Sequence, residues 1–195
     1  MKSVQPIRDK AIIEAIKRDL RLQSERNYIF FCLGIYSGLR VSDLLNLRVG
    51  DVRSKSHIVL IEQKTRNTKK LRKERKFIIH PDLKPALESY IAGKRDEEYL
   101  FPSRQRKKKT GISQQPFHRT MAYKVLKNAA QKYGLKEIGC HTMRKTWGYH
   151  LYVQNPRNLA LLMNMFNHSE QSITLRYLGL TQDAMDEAIS DLSYS

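Results

Sequence analysis

Apolar side chains recur at helical spacing through most of the chain. From residue 6 to residue 22 they fall every third or fourth position, and Asp9 stands where a helix N-cap is expected. Residues 28–36 are apolar on nearly every side, which predicts a buried helix starting after Ser24. Asn27 leaves the capping box of that helix incomplete. Further helices are predicted over residues 39–47, 83–92, 116–134, 141–154, 159–166 and 173–177.

Two shorter runs, residues 57–61 and 76–79, are rich in β-branched and aromatic side chains and predict strands. Between them seven of the residues from Lys64 to Arg75 are basic, and only Glu74 is acidic. The pattern therefore predicts a hairpin with a basic tip. The expected fold class is mainly α with a small antiparallel β-sheet (α+β), in a single domain over residues 1–195.

The net charge of the chain says more about its function than its length does. A chain of 195 residues with 41% hydrophobic side chains can bury one core, but a formal net charge of +17 exceeds what solubility requires. A polyanionic partner is expected. Nucleic acid is the first candidate, and an anionic membrane surface is the second.

Cysteine content and hydropathy indicate the cellular compartment in which the protein is expected. The two cysteines, Cys32 and Cys140, fit neither a zinc site nor a disulfide scaffold, which indicates an intracellular, cytoplasmic protein. We find no signal peptide, and the longest apolar run, residues 28–36, is too short to span a bilayer. With no carboxylate cluster and no His-x-x-x-His pair, neither a metal nor any other cofactor is expected.

The stretch from His141 to Tyr177 carries the candidate chemistry. His141 and Arg144 lie three apart, and Tyr177 follows His168 by nine residues. Attack on a phosphodiester needs fixed positive donors for the phosphate oxygens, which guanidinium groups supply well. A tyrosine nucleophile, with an ordinary pKa of about 10, also needs a neighbour that takes its proton. A leaving alkoxide needs an acid, which a hairpin lysine could provide.

Simpler interpretations exist for each of these residues. Arg40 and Asp43, three apart, would ordinarily be a pair on a solvated helix face. A single histidine is usually a packing or surface residue, and ten tyrosines make any one of them a weak candidate by frequency. Tyr149 and Tyr152 are interpreted as packing residues.

Four sequence blocks, taken in order, favour the catalytic interpretation of these residues over the simpler ones. They read SGLRVSDLLNL, a lysine-bearing hairpin with QKT, HTMRKTWGYH, and NHSEQSITLRY. In this order and over nearly the whole chain, they resemble the tyrosine recombinase (phage integrase) family. The resemblance implies a catalytic-domain fold of that family and a metal-free strand transferase.

The resemblance also implies roles for individual side chains. Tyr177 is similar to the family's nucleophile. Arg40 and Arg144 resemble its phosphate clamp, and His141 and His168 resemble its hydrogen-bonding and proton-transfer histidines.

Other positions are matched less directly. Lys64 resembles the hairpin general acid, with Lys69 as the alternative, and Asp43 resembles the acidic residue that supports the site. The sequence departs from the family at two positions. Asn167 replaces a common glycine, and Lys145 replaces a frequent second histidine.

The implied activity is site-specific DNA recombination through a 3′-phosphotyrosyl intermediate, in integration, excision or inversion. Relaxation of DNA as by a type IB topoisomerase, and a non-catalytic DNA-binding regulator, remain alternatives. The implied partners are double-stranded DNA on the nucleoid, further copies of the chain in a tetrameric synapse, and accessory DNA-bending or core-binding proteins. Phosphate contacts are expected from the basic loops, at Arg66, Lys69, Lys70, Arg72, Lys73, Arg104, Arg106, Lys107, Lys108 and Lys109.

The ends of the chain carry two more expectations. No separate amino-terminal core-binding domain is expected. Residues 179–195 form an amphipathic tail with an apolar face at Met185, Ile189 and Leu192. The tail either docks on a neighbouring protomer, as the resemblance implies, or folds back onto its own domain.

Overall fold

The computed structural model describes residues 4–60, 74–103, 115–180 and 189–193. These ranges contain eight α-helices and one two-stranded antiparallel sheet, so the expected mainly α fold is confirmed. The elements are α1 (Lys10–Gln23), α2 (Glu25–Ser37), α3 (Val41–Leu45), β1 (His57–Leu60), β2 (Arg75–Ile78), α4 (Lys84–Ile91), α5 (Arg119–Gln131), α6 (Thr142–Gln154), α7 (Leu159–Phe166) and α8 (Gln171–Leu178).

Helices α1 and α2 form as their patterns predict. The Asp9 carboxylate accepts a hydrogen bond from the backbone N–H of Ala11 at 2.7 Å and caps α1. Ser24 precedes α2 but makes no side-chain capping bond. The apolar run of residues 28–36 becomes the centre of the core, packed against α1 and α6. In the described part of the chain, no helix is both long and apolar enough to cross a membrane.

The two strands pair antiparallel, as expected. Ile58 lies opposite Phe77, and both side chains are buried. The tip of the hairpin, residues 61–73, lies outside the described residues, as does the second basic loop, residues 104–114. The expected hairpin acids and phosphate contacts therefore lie outside the described residues, namely Lys64, Arg66, Lys69, Lys70, Arg72, Lys73, Arg104, Arg106, Lys107, Lys108 and Lys109.

Two local predictions are wrong. Pro116 is not the first residue of α5, because residues 102–103 and 115–116 pair with each other and the helix starts only after His118. The helix predicted over residues 39–47 contains only the five residues of α3. Asp43 in α3 is 4% exposed, so it does not belong to a solvated ion pair.

Two glycines allow α6 to approach its neighbours closely. Gly38 ends α2 with φ of 64°, and a Cβ atom there would overlap the ring of Trp147 on α6. A Cβ atom on Gly148 of α6 would lie 2.6 Å from the Phe166 ring of α7. The end of α2, the middle of α6 and the end of α7 therefore meet in one place.

Residues 4–8, here called the strap, cross α6 and reach the end of α8. The backbone N–H of Ile7 donates to the Thr146 hydroxyl at 2.9 Å, and His150 Nε2 lies 2.9 Å from the Ile7 carbonyl. Arg8 donates to the carbonyl of Gly179, which caps α8, at 2.9 Å. The strap thus fixes the position of α8 relative to α6.

Candidate active site

Tyr177 lies at the centre of the candidate site. It is half-buried on α8, and its hydroxyl oxygen is 3.3 Å from Nδ1 of His141. His141 is the N-cap residue of α6, and its ring stands perpendicular to the Tyr177 ring with centroids 6.3 Å apart. In the Nε2–H tautomer, Nδ1 accepts the hydrogen of the phenol.

Arg144 lies one turn further along α6 and is buried. Its Nη1 donates to the carbonyl of Gly38, and its Nη2 donates to the carbonyl of Met165 at 2.7 Å. The guanidinium carbon lies 4.9 Å from the ring centroid of Phe166. These contacts with the ends of α2 and α7 hold the guanidinium in a fixed orientation.

Arg40 and Asp43 enter the site from α3. Arg40 is the N-cap residue of that helix, and its carbonyl accepts from the backbone N–H of Asp43 at 2.9 Å. The buried Asp43 lies in the first turn, where the positive end of the helix dipole stabilises a carboxylate. The charges of Arg40 and Arg144 both act on the Tyr177 hydroxyl and on His141, so the fold brings the two arginines to one site.

His168 borders the site in the turn between α7 and α8. Its Nδ1 lies 3.0 Å from the hydroxyl of the buried Thr174, and its ring centroid lies 5.4 Å from that of Tyr177. The preceding Asn167 adopts the left-handed conformation, with φ of 60° and ψ of 48°. Asparagine tolerates this conformation better than most residues, which explains how it can replace a glycine here.

Burial and charge set the protonation states of the central pair. Burial raises the pKa of the Tyr177 phenol above its ordinary value, against the opposing charges of Arg144 and Arg40. Desolvation lowers the pKa of His141, and nearby cations, first Arg119, lower it further. The resting site therefore favours a protonated phenol beside a neutral imidazole.

Sequence reasoning missed two residues that build the site. Thr174 orients His168, but a threonine six residues after a histidine is no recognised motif. Arg75, which belongs to the basic run in the sequence, donates to the carbonyls of Met165 at 2.8 Å and Asn164 at 3.2 Å. It thereby joins β2 to the end of α7. Within the described ranges, no three histidine, cysteine, aspartate or glutamate side chains converge as metal ligands.

The fold and this grouping of residues match known proteins. The model of the phage integrase family matches residues 6–183. The "Probable integrase/recombinase YoeC" of Bacillus subtilis (strain 168) is 42% identical over 183 residues, which cover 94% of this chain and 93% of that protein. The chain therefore belongs to the phage integrase family, and its enzyme class is that of the tyrosine recombinases.

More distant relatives are longer than this chain. A tyrosine recombinase of Pseudothermotoga lettingae is 30% identical over 177 residues, covering 89% of this chain and 56% of that protein. A crystal structure of XerH site-specific recombinase bound to palindromic difH substrate, a post-cleavage complex, has a TM-score of 0.67 at 16% identity, over 97% of this chain and 53% of that one. The chain thus spans about half the length of these two proteins, and the XerH likeness shows the fold.

Proposed function

We propose that Tyr177 is the nucleophile with which this recombinase cleaves DNA. The Tyr177 oxygen attacks the scissile phosphorus and passes its proton to Nδ1 of His141. The bond between phosphorus and the 5′ oxygen breaks, which leaves a 3′-phosphotyrosyl link and a 5′-hydroxyl end. The contact of 3.3 Å between the Tyr177 hydroxyl and His141 carries this proposal.

The cationic groups around this pair suit the phosphate. Arg40 and Arg144 would bind the non-bridging oxygens, whose charge grows in the transition state. His168, held by Thr174, would donate a hydrogen bond to the same phosphate. Asp43 would hold the start of α3, and with it Arg40, in place.

The leaving 5′ oxygen needs a proton, for which we propose a lysine of the hairpin tip, Lys64 or alternatively Lys69. The support for this step is the sequence block with QKT and the described base of the hairpin. Arg75 of β2 and Arg144 both donate to the carbonyl of Met165, so the described base of the hairpin lies beside one arginine of the proposed phosphate clamp.

Recombination follows when the 5′-hydroxyl end of a second duplex attacks the phosphotyrosyl link. Double-stranded DNA is the proposed substrate, supported by the net charge of +17 and by the DNA-bound state of XerH. Whether the outcome is integration, excision or inversion depends on the arrangement of the target sites. We propose that the protein acts in the cytoplasm on nucleoid DNA.

A nicked suicide duplex tests the nucleophile. The parent protein should form a covalent adduct, and Tyr177→Phe should bind the duplex but form none, because the ring remains while the attacking oxygen is gone. Tyr152→Phe, a packing tyrosine on α6, is the matched control and should react like the parent. Adducts are counted on denaturing gels, and peptide mapping locates the modified tyrosine.

The outcomes separate the three candidate functions. Adduct formation followed by exchange between two marked duplexes supports recombination. Adducts with relaxation of supercoils but no exchange indicate activity like that of a type IB topoisomerase. Binding without adduct in the parent indicates a regulator, and an adduct that persists in Tyr177→Phe contradicts the assignment of the nucleophile.

We further propose that the tail docks on a neighbouring protomer during synapsis. Its described residues Ile189 and Leu192 are 68% and 59% exposed, although they lie on the predicted apolar face. A cavity of about 540 Å³ between α1, α2 and α6 offers an apolar wall that includes Ile35 and Trp147. Lys10 and Glu14 both line this cavity, and Lys10 offers a charge partner to the acidic residues of the tail, Asp183, Asp186, Glu187 and Asp191.

A further inference from the structure

A buried lysine lies against the ring of Tyr177. Lys145 follows Arg144 on α6, is 6% exposed, and places its Nζ atom 5.0 Å from the centroid of the Tyr177 ring. Within the described residues, the Lys145 ammonium has neither a hydrogen bond nor an ion pair. Arg144 beside it, by contrast, donates to two backbone carbonyls.

Partial withdrawal of an ammonium from water costs free energy, so the contact with the aromatic ring contributes to stability. The face of an aromatic ring is negative and attracts a cation, most strongly where water is excluded. Desolvation lowers the pKa of Lys145 from its ordinary value, in keeping with an amine withdrawn from water. The ring of Tyr177 is therefore the favourable partner that the described structure offers to this charge.

The other groups around the Tyr177 hydroxyl have separate tasks. His141 approaches the hydroxyl from the start of α6, and His168 packs against the ring from the turn before α8. Arg40, from α3, acts on the hydroxyl by charge, and Arg144, from α6, acts on it by charge and by a side-chain hydrogen bond. Lys145 contacts the ring itself, and its charge also contributes to the lowered pKa of His141.

We propose that Lys145 is a positioning residue that holds the Tyr177 ring in the site and favours ionisation of its hydroxyl during attack. This inference rests on the proposed function of Tyr177 as nucleophile. The attraction between ammonium and ring holds the side chain before attack, and it strengthens as negative charge develops on the phenol. A neutral side chain of the same length would fill the space and supply neither effect.

Two other roles for Lys145 fit the geometry less well. A role in phosphate binding alone does not account for the placement of the ammonium against the ring of Tyr177. A role as proton acceptor requires an approach to the hydroxyl, but the ammonium is placed against the ring and Nδ1 of His141 is placed at the hydroxyl.

Single-turnover adduct formation on the nicked duplex, measured across neutral to alkaline pH, tests the proposal. Lys145→Met should slow the reaction about 3- to 30-fold and move its alkaline rise to higher pH, because the phenol loses a neighbouring cation. Lys145→Arg, which keeps the charge, should stay within about threefold of the parent. Lys84→Met removes an exposed charge on α4 and is the control. It should change neither the rate nor the profile.

Ionisation of Tyr177 can also be followed without turnover, by NMR of protein labelled at the tyrosine Cζ carbon, with Tyr177→Phe to assign the signal. The pKa of Tyr177 should be higher in Lys145→Met than in the parent or in Lys145→Arg. If Lys145→Met does not fold, Lys145→Gln replaces it. If neither folds, the parent signal decides, because deprotonation of Lys145 should add an inflection to the Tyr177 titration on the alkaline side of the one caused by His141.

The outcomes keep the two proposals apart. A parent that forms no adduct at Tyr177 overturns the proposed function. An active parent matched by Lys145→Met in rate, pH profile and Tyr177 titration overturns the role of Lys145. In the parent-only experiment, a Tyr177 titration with no inflection beyond those of Tyr177 and His141 overturns that role.

Discussion

A buried phenol is a poor nucleophile until a neighbour takes its proton. In this site burial raises the pKa of Tyr177, while desolvation and several cations lower the pKa of His141. The two shifts act together, since they keep the proton on tyrosine at rest and keep the imidazole free to accept it. Arg40 and Arg144 oppose the first shift, and they favour the phenolate once the proton has left.

The lowered pKa of His141 predicts an acid limit to the reaction. Protonation of His141 removes the acceptor, and because its pKa is depressed, the rate should fall only below about pH 6.5, the ordinary histidine value. Adduct formation on a nicked duplex measures this. His141→Gln should lose the acid limb and slow the reaction about 10²- to 10⁴-fold.

His80→Gln is the matched control, because His80 stacks on Tyr36 outside the candidate site. It should keep both the rate and the acid limb. A limb centred well above pH 6.5 in the parent, or one that survives in His141→Gln, would contradict the role of His141 as acceptor.

At the scale of elements, α8 depends on its neighbours for its position. It has eight residues, packs on α6 and α7, and ends at Gly179, where Arg8 of the strap binds. An isolated helix of this length is not stable in water, so these contacts hold the nucleophile in place. The strap is therefore part of the support of the active site.

Removal of one strap contact should test this dependence. Thr146→Val keeps the shape of the side chain but leaves the buried N–H of Ile7 without its acceptor, which should cost about 1–3 kcal/mol of unfolding free energy. Urea denaturation measures the loss. Thr120→Val, whose exposed hydroxyl contacts nearby His118, should change stability by less than about 0.5 kcal/mol. Equal effects of the two substitutions would argue against the strap.

Local patterns explain which elements the sequence predicts. Periodicity within one helix is enough to find α1, α2 and α6, and the three-residue spacing places His141 and Arg144 near each other on α6. The start of α5 is different, because pairing of residues 102–103 with 115–116 overrides the usual preference of proline for a first helical turn. The burial of Asp43 likewise depends on tertiary packing, and the spacing of residues along one helix gives no information about that packing.

In the candidate site, too, some features can be predicted from local sequence and others depend on tertiary structure. The family blocks name Arg40, His141, Arg144, His168 and Tyr177, and the fold brings these five together. The contacts that orient them are formed with backbone carbonyls or with common side chains, such as Thr174 beside His168. Arg144 is fixed by the carbonyls of Gly38 and Met165, and a carbonyl leaves no signature in a sequence.

At the scale of the whole molecule, the tail provides a test of assembly. Ile189→Asp with Leu192→Asp should leave duplex binding and adduct formation intact but reduce the joining of several protomers on DNA, because the apolar face is lost. Light scattering of protein with paired target duplexes measures this. Leu22→Asp, at an exposed leucine on α1, is the control. A lower melting temperature of the free double variant would indicate that the tail docks on its own domain.

The strap also bears on the order in which the protein is made. The hydrogen-bond partner of Ile7 is Thr146, which follows 139 residues later in the chain. The partner of Arg8 is Gly179, which follows 171 residues later. At ordinary rates of synthesis, that interval is on the order of 10 to 30 seconds. The strap therefore cannot form these two contacts until Thr146 and Gly179 have been synthesised.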